Sequence, residues 1–383
     1  MRDIEAYSDT SYSYKIILTS ELEDIEQIIF DKLKKYPLLV VFIDNGITRI
    51  DPANNFLEML QRCANNAGSK LIKKKLESGK HRKTLSIIND LTDWLVDRCV
   101  QRDSLFIAMG GGVVGDVVGL LSSLYFRGIS LWHVPTNMLS MSDSSIGGKT
   151  GVNTTRHVNT LGTYKHPELN IMYTKFIDTI PDREFYAGLA EIIKISLLKK
   201  GPLFNLLNSV DSKDNKIRSN PKLLEEILFH SIRYKLFFTK DDIEENSKRL
   251  FLNVGHTFGH SIESIQSFNS EEYYRHGEAV ALGLVVCARL SKIILNSHIE
   301  EVILSILPKF NLPIKLTSEF IKLVSEKDDF NILENLTETT LMDKKGLNGE
   351  LRLILFDNYS QPVIYKTNNM ELISKAYRFI VPF

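Results

Sequence analysis

Three histidines make the sharpest chemical signal in the chain. His256 and His260 stand four apart within Asn253-Val254-Gly255-His256-Thr257-Phe258-Gly259-His260, and His276 follows in His276-Gly277-Glu278. On a helix the first pair shares one face. Two imidazoles on one face with a third nearby are the raw material of a metal centre. The competing reading is a pair of helix-surface histidines with no ligand. A zinc peptidase of the HExxH type does not fit, because Thr257 occupies the place of the glutamate that acts there as general base.

Two further stretches suit anionic ligands. Gly110-Gly111-Gly112-Val113-Val114-Gly115-Asp116 separates the apolar run Ser104–Met109 from an apolar helical segment reaching about Phe126. A strand, a glycine turn and a helix N-terminus bring free N–H groups and the helix dipole to a pyrophosphate. Tight turns also use glycine for conformational reasons alone, and that is the alternative. The polar segment Ser142–Asn153 holds Asp143, Gly147, Gly148, Lys149 and Thr150, yet its spacing fails GxxxxGK[ST] and argues against a P-loop NTPase. One carboxylate, one ammonium and several hydroxyls and amides suit a small polyhydroxylated phosphate; an Asp–Lys pair in a solvated loop is the bland counterpart.

The elements that must position these groups fall into two halves. Tyr14–Leu18 and Leu38–Asp44 predict buried strands, Glu21–Lys35 a helix between them, and Ile129–Val134 a further strand. Thr84–Val100 predicts an amphipathic helix with Leu85, Ile88, Leu91, Leu95 and Cys99 on one side. Alternating strands and helices argue for an α/β first half. Past Ile180-Pro181 the segments 183–199, 221–240, 251–265, 277–296, 299–310 and 317–326 all read as helices, and Leu351–Phe356 reads as a short strand or extended tail. The expected fold is an α/β N-terminal domain over 1–180 and an all-α C-terminal domain over 181–383. No internal repeat or low-complexity tract interrupts it.

The 383 residues carry 47 Lys+Arg against 47 Asp+Glu, so no global field draws in nucleic acid or an anionic membrane, and an anionic ligand must be held by local cations. Cys63, Cys99 and Cys287 form no CxxC pair, the N-terminal residues lack the apolar core of a signal peptide, and no apolar run is long enough to span a bilayer. A reduced, cytoplasmic protein is expected.

Five blocks together resemble the 3-dehydroquinate synthase family and, more broadly, the sugar phosphate cyclases. They are Gly110–Asp116, Asp143–Asn153, Ala187-Gly188-Leu189-Ala190-Glu191-Ile192-Ile193-Lys194, Leu252–His260 and His276–Val280, in the family's order across roughly 38–360. The resemblance implies a Rossmann-like NAD-binding domain, a helical domain carrying zinc or cobalt, an active site in the cleft between them, and a homodimer. It implies Glu191, His256 and His276 as metal ligands, with positions open for substrate hydroxyls. It moves His260 from metal ligand to a contact near the substrate phosphate. Asp143, Lys149, Asn159, Lys194, Lys235, Arg249 and Asn253 fall on substrate-site positions. Arg127 matches an arginine donated by a neighbouring subunit to the phosphate, and Lys345 matches a late lysine. Asp44, Lys83, Gly111, Gly112, Val113, Asp116, Thr136, Asn137, Leu139, Phe176, Thr179 and Glu184 match positions lining the NAD pocket.

The implied chemistry starts with transient oxidation of a secondary alcohol of a seven-carbon sugar phosphate by NAD. Phosphate then leaves by β-elimination, the hydride returns, and ring opening with aldol closure gives a carbocycle. The substrate 3-deoxy-arabino-heptulosonate 7-phosphate would thus become 3-dehydroquinate. Two departures stand out: Lys80 replaces an acidic residue of the family's GExxK stretch, and Val158-Asn159 replaces a Lys-Asn pair. Three alternatives stand beside this reading. One is a divergent cyclase acting on sedoheptulose 7-phosphate, an amino analogue or glucose 6-phosphate. The others are a metal-dependent polyol dehydrogenase and an inactive ligand-binding relative.

Overall fold

The computed structural model describes residues 1–7, 12–77, 79, 82–154, 158–210, 216–266, 272–325, 331–343 and 350–382. The chain forms two compact units, Met1–Pro181 with Asn220–Glu244, and Asp182–Ser219 with Glu245–Phe383.

In chain order the first stretch gives β1 (Arg2–Tyr7), β2 (Ser13–Thr19), α1 (Leu22–Leu33), β3 (Leu38–Asp44), α2 (Asp51–Ala67), β4 (Lys70–Leu76), α3 (Leu85–Val96), β5 (Leu105–Gly110), α4 (Gly112–Leu124), β6 (Ser130–Pro135), β7 (Lys149–Val152), β8 (Leu161–Tyr164) and β9 (Leu169–Tyr173). There follow α5 (Asp182–Leu198), α6 (Pro202–Asn208), α7 (Lys216–Ser219), α8 (Pro221–Thr239), α9 (His256–Gln266), α10 (His276–Leu295), α11 (Ile299–Ile306), α12 (Ser318–Val324), α13 (Ile332–Asp343), β10 (Leu351–Asn358), β11 (Gln361–Thr367) and α14 (Met370–Tyr377).

The first unit is built on a seven-stranded sheet of order β1-β2-β9-β6-β5-β3-β4, parallel except for β1 against β2. β3 and β5 are apolar end to end because both their faces are covered. Phe42, Phe106, Ile88, Leu91, Leu95, Val117 and Leu121 join them to α3 and α4 in one core. β4 is an edge strand, and its exposed Lys70, Lys73 and Lys75 discourage pairing with another chain.

Several expectations are corrected by the structure. In α3 only Ile88, Leu91 and Leu95 of the expected stripe are buried. Leu85 opens the helix exposed, and Cys99 lies past its end in a left-handed turn (φ 51°). The expected helix over 251–265 is broken at Gly255 (φ 76°), so a short 3-10 turn at 248–253 precedes α9. The straight division at 180 also misses a return of the chain. α8 lies against β1, β2 and the turn at 140–144, Arg2 ion-pairs with Glu226, and the Arg2 guanidinium sits 4.4 Å over the Phe229 ring.

The second unit is largely helical. α5 is buried from Phe185 to Leu198, and α9 and α10 lie against each other, with α5 also on α10. The short strand expected at Leu351–Phe356 is β10, and its pairing with β11 in a hairpin is the addition to the expected all-helical plan. The hairpin docks on α10, where Cys287 Sγ donates to the Ile354 carbonyl (2.9 Å) and the Phe356 N–H donates to Ser291 Oγ (2.9 Å). Among the described residues no helix is long and apolar enough to cross a membrane.

Candidate active site

Close helix packing creates the centre of the second unit. A Cβ added at Gly277 would overlap the Ala187 carbonyl of α5, and one at Gly283 would overlap the Gly255 carbonyl at the start of α9. Glycine at these two places lets α10 touch both neighbours by backbone. His256 and His276, the first residues of α9 and α10, are thereby carried to Glu191 on α5.

Their donor atoms lie within 4.8 Å of one another. His256 Nε2 is 3.4 Å and His276 Nε2 3.6 Å from Glu191 Oε1, while the buried Lys194 Nζ is 2.5 Å from Oε2. Burial pushes the Glu191 carboxyl up, but the Lys194 ammonium and then the two imidazoles outweigh it and hold the carboxyl well below its usual range. Burial, joined by Lys194, presses His256 well below the ordinary imidazole range and keeps its lone pair. His276 resists burial because the Glu263 and Glu191 carboxylates raise it to about 10.

A divalent cation fits these donors. Both Glu191 oxygens are buried and accept no well-directed hydrogen bond, although Lys194 is close enough to form an ion pair. A desolvated carboxylate in that state, facing two imidazoles, matches a catalytic set of three protein ligands with open positions.

His260 rises from the next turn of α9, its ring 5.5 Å from that of His256 and 6.2 Å from that of His276. Glu263 is the functional candidate that sequence reasoning missed. It lies three residues after His260 and seven after His256, on the same helical face, and that spacing was the available signal. His260, Glu263 and His276 form a second group able to hold a cation. Arg249 is buried, and Asn253 Nδ2 donates to Glu245 Oε1 (2.6 Å).

The first unit gathers the expected dinucleotide residues at the strand ends. The chain passes from β3 outward to β4, then returns to β5 on the other side of β3, so Asp44 and Gly110 end the two strands flanking the reversal. A crevice outside the carboxyl ends at such a point is where doubly wound sheets take ligands. Asp44 Oδ1 accepts from the Gly46 N–H (2.9 Å). A Cβ at Gly111 would stand 2.7 Å from Asn137 Nδ2, and one at Gly112 3.1 Å from Ser144 Oγ. Val113 and Asp116 lie at the start of α4, and the Thr136 N–H donates to the Gly110 carbonyl (3.1 Å). Asn137 Oδ1 accepts from the Ser140 N–H (2.9 Å), with Leu139 half-buried beside it. Lys83 pairs with Asp116 (2.5 Å) and also donates to Asn159 Oδ1, which ties an expected cofactor pair to an expected substrate residue. Burial raises the Asp116 carboxyl in spite of Lys83.

The remaining expected positions take the following places. Phe176 is fully buried against Phe56 and Tyr173, a core position, and Thr179 Oγ1 donates to its carbonyl (2.8 Å). Glu184 belongs to the second unit and pairs with Arg275 (2.6 Å). Lys235 on α8 donates to Asp143, which sits in a π-helical turn at 140–144. Lys149 opens β7, so the segment expected as a loop ends in a β7–β8 hairpin. Arg127 is exposed in a left-handed turn, Phe126 (φ 48°), Arg127 (φ 62°) and Gly128 (φ 127°). Lys345 and Lys80 lie outside the described residues.

A doubly wound sheet with a glycine turn at its reversal, joined to a helical unit carrying a buried carboxylate and two imidazoles, defines a two-domain enzyme class. The pattern described as 3-dehydroquinate synthase N-terminal matches residues 73–187, and the C-terminal one matches 188–345. A 3-dehydroquinate synthase of Acinetobacter baumannii (strain SDF) is 34% identical over 365 residues, 95% of each chain. Among solved structures, a 2-epi-5-epi-valiolone synthase from Streptomyces hygroscopicus subsp. jinggangensis 5008, with NAD+ and Zn2+ bound, has a TM-score of 0.82 at 23% identity over 97% of each chain. A 2-deoxy-scyllo-inosose synthase complexed with carbaglucose-6-phosphate, NAD+ and Co2+ has a TM-score of 0.80 at 22% identity, covering 98% of this chain and 99% of that one. The chain belongs to the 3-dehydroquinate synthase family, whose members are sugar phosphate cyclases.

Proposed function

We propose that the protein converts 3-deoxy-arabino-heptulosonate 7-phosphate to 3-dehydroquinate and phosphate, as a cytoplasmic homodimer using NAD and one zinc or cobalt ion. The observation that carries this reading is the meeting of Glu191, His256 and His276 in a chain of this family. When bound, NAD supplies reversible hydride removal and the cation supplies Lewis acidity.

The chain's own residues hold and orient. Lys194 keeps Glu191 ionised, and burial keeps His256 neutral, so both remain competent ligands. Asp44 is suited to ribose hydroxyls, and Gly111, Gly112 and the N-terminus of α4 to the pyrophosphate. In this reading Lys149, Lys235, Arg249 and Lys345 supply the local cations for the phosphate and carboxylate of the substrate in a chain of zero formal net charge, and Asn159, Asn253 and His260 supply polar contacts to it.

Arg127 is assigned to a second copy of the chain. In support, Leu124 and Phe126 beside it are exposed, as are Leu161 and Tyr164 of β8, which Thr163 Oγ1 ties to Ser123 Oγ on α4 (2.9 Å). An apolar patch of this kind marks an association surface. The free cysteines agree with a reducing compartment.

Exposed Val158, where the family resemblance expects lysine, favours a second reading in which the cyclase takes another sugar phosphate. The test supplies purified protein, NAD and zinc or cobalt with each candidate, reading released phosphate, the carbocycle and nicotinamide absorbance. Turnover of the heptulosonate with no net NADH supports the first reading. Turnover of a different phosphate alone would replace it, and stoichiometric NADH would identify a polyol dehydrogenase.

A further inference from the structure

His276 faces two carboxylates, one at each ring nitrogen. Its Nε2 is 3.6 Å from Glu191 Oε1, and its Nδ1 is 3.2 Å from Glu263 Oε2. His256 is backed differently, with Nδ1 3.3 Å from the Val254 carbonyl. A neutral imidazole carries one N–H and one lone pair. When a cation displaces the Nε2 proton of His276, the carboxylate at Nδ1 accepts the remaining N–H, so the lone pair on Nε2 faces the ion beside Glu191. Glu263 is fixed for this task by α9, two turns after His256.

We propose that Glu263 is a positioning residue that locks the tautomer and ring orientation of His276 and so sets how tightly the second unit holds its cation. The inference rests on the metal reading of the triad above. A carboxylate behind a ligating histidine orients the ring and raises its basicity, and its loss typically lowers metal affinity by about 10–100-fold. The two imidazoles are thus unequal: His256 is held by neutral backbone, His276 by a charged side chain that mutation can reach.

The experiment titrates metal-stripped, full-length protein with Zn2+ against a chromophoric chelator and records the visible spectrum with Co2+, for wild type, Glu263→Ala and Glu263→Gln. Circular dichroism and thermal melting establish folding. Glutamine keeps the volume but offers an N–H as well as an oxygen, so it no longer specifies which ring nitrogen is protonated.

The expected result is one cation per chain in every protein, with Kd raised about 10-fold or more in Glu263→Gln and toward 100-fold in Glu263→Ala, together with a changed Co2+ spectrum. Unchanged Kd and spectrum in folded Glu263→Gln would overturn the inference while leaving the triad intact. Loss of one of two bound equivalents would overturn it by making His260, Glu263 and His276 a separate cation site. Absence of binding in wild type would defeat the metal reading itself.

Discussion

Gly277 lies directly on the carbonyl of Ala187, with no room for a side chain between α10 and α5. Because His276 precedes Gly277 and Glu191 follows Ala187 by one turn, this backbone contact sets the spacing of the triad. Gly277→Ala must separate the helices. The expected loss is about 1–3 kcal/mol or more of stability, as for an overfilled core, with weakened Zn2+ binding. Thermal melts with and without metal check this; a variant matching wild type in both would show that the contact is dispensable.

Chelation is expected to stop phosphate release, and Zn2+ or Co2+ to restore it. Glu191→Ala should also destabilise the metal-free protein by about 3–5 kcal/mol, since Lys194 would be left as a buried charge without its partner. Adding Lys194→Met should return much of that stability without returning metal binding. Urea titrations of the two variants test the coupling.

Acid sensitivity has a specific source in β6. Burial pushes the His133 imidazole down to about 4 from 6.5, so the folded chain declines a proton that the unfolded chain accepts. Stability is therefore full above about pH 6.5 and lost as the pH falls toward 4, about 2 kcal/mol of it between pH 7 and pH 5. In His133→Leu the same interval should show a smaller loss. Denaturation midpoints at the two pH values decide, and equal losses would contradict the assignment.

Val158 is 62% exposed, one residue from the Asn159 that Lys83 contacts. Val158→Lys should lower KM for the heptulosonate phosphate, by up to about 10-fold, and the gain should shrink with added salt, as an exposed cation requires. An unchanged KM at low salt would separate this departure from substrate choice.

The parts of the fold legible in the sequence are those where one residue pattern has one physical meaning. Leu38–Asp44 is apolar throughout because β3 is covered on both faces, and Gly110–Gly112 marks the turn at the sheet's reversal. Strand β4, with lysines at 70, 73, 74 and 75, is set by pairing with β3, and its charges reflect its place at the edge. Nothing local in Pro221–Thr239 says that this helix returns to the first unit; that depends on what Leu224, Ile227 and Ile232 meet in three dimensions. The histidines were legible as types, but choosing His276 over His260 as partner of Glu191 required the family blocks. The glycine contacts supply the physical reason. Glu263 had a readable spacing and no distinguishing chemistry until its carboxylate was seen at His276 Nδ1.

The most direct test of the central claim is anomalous diffraction at the zinc edge from crystals grown with Zn2+. One peak per chain is expected, about 2.0–2.2 Å from Glu191, His256 Nε2 and His276 Nε2. A peak on His260 and Glu263 instead, or no peak at a zinc concentration that supports turnover, would contradict that claim.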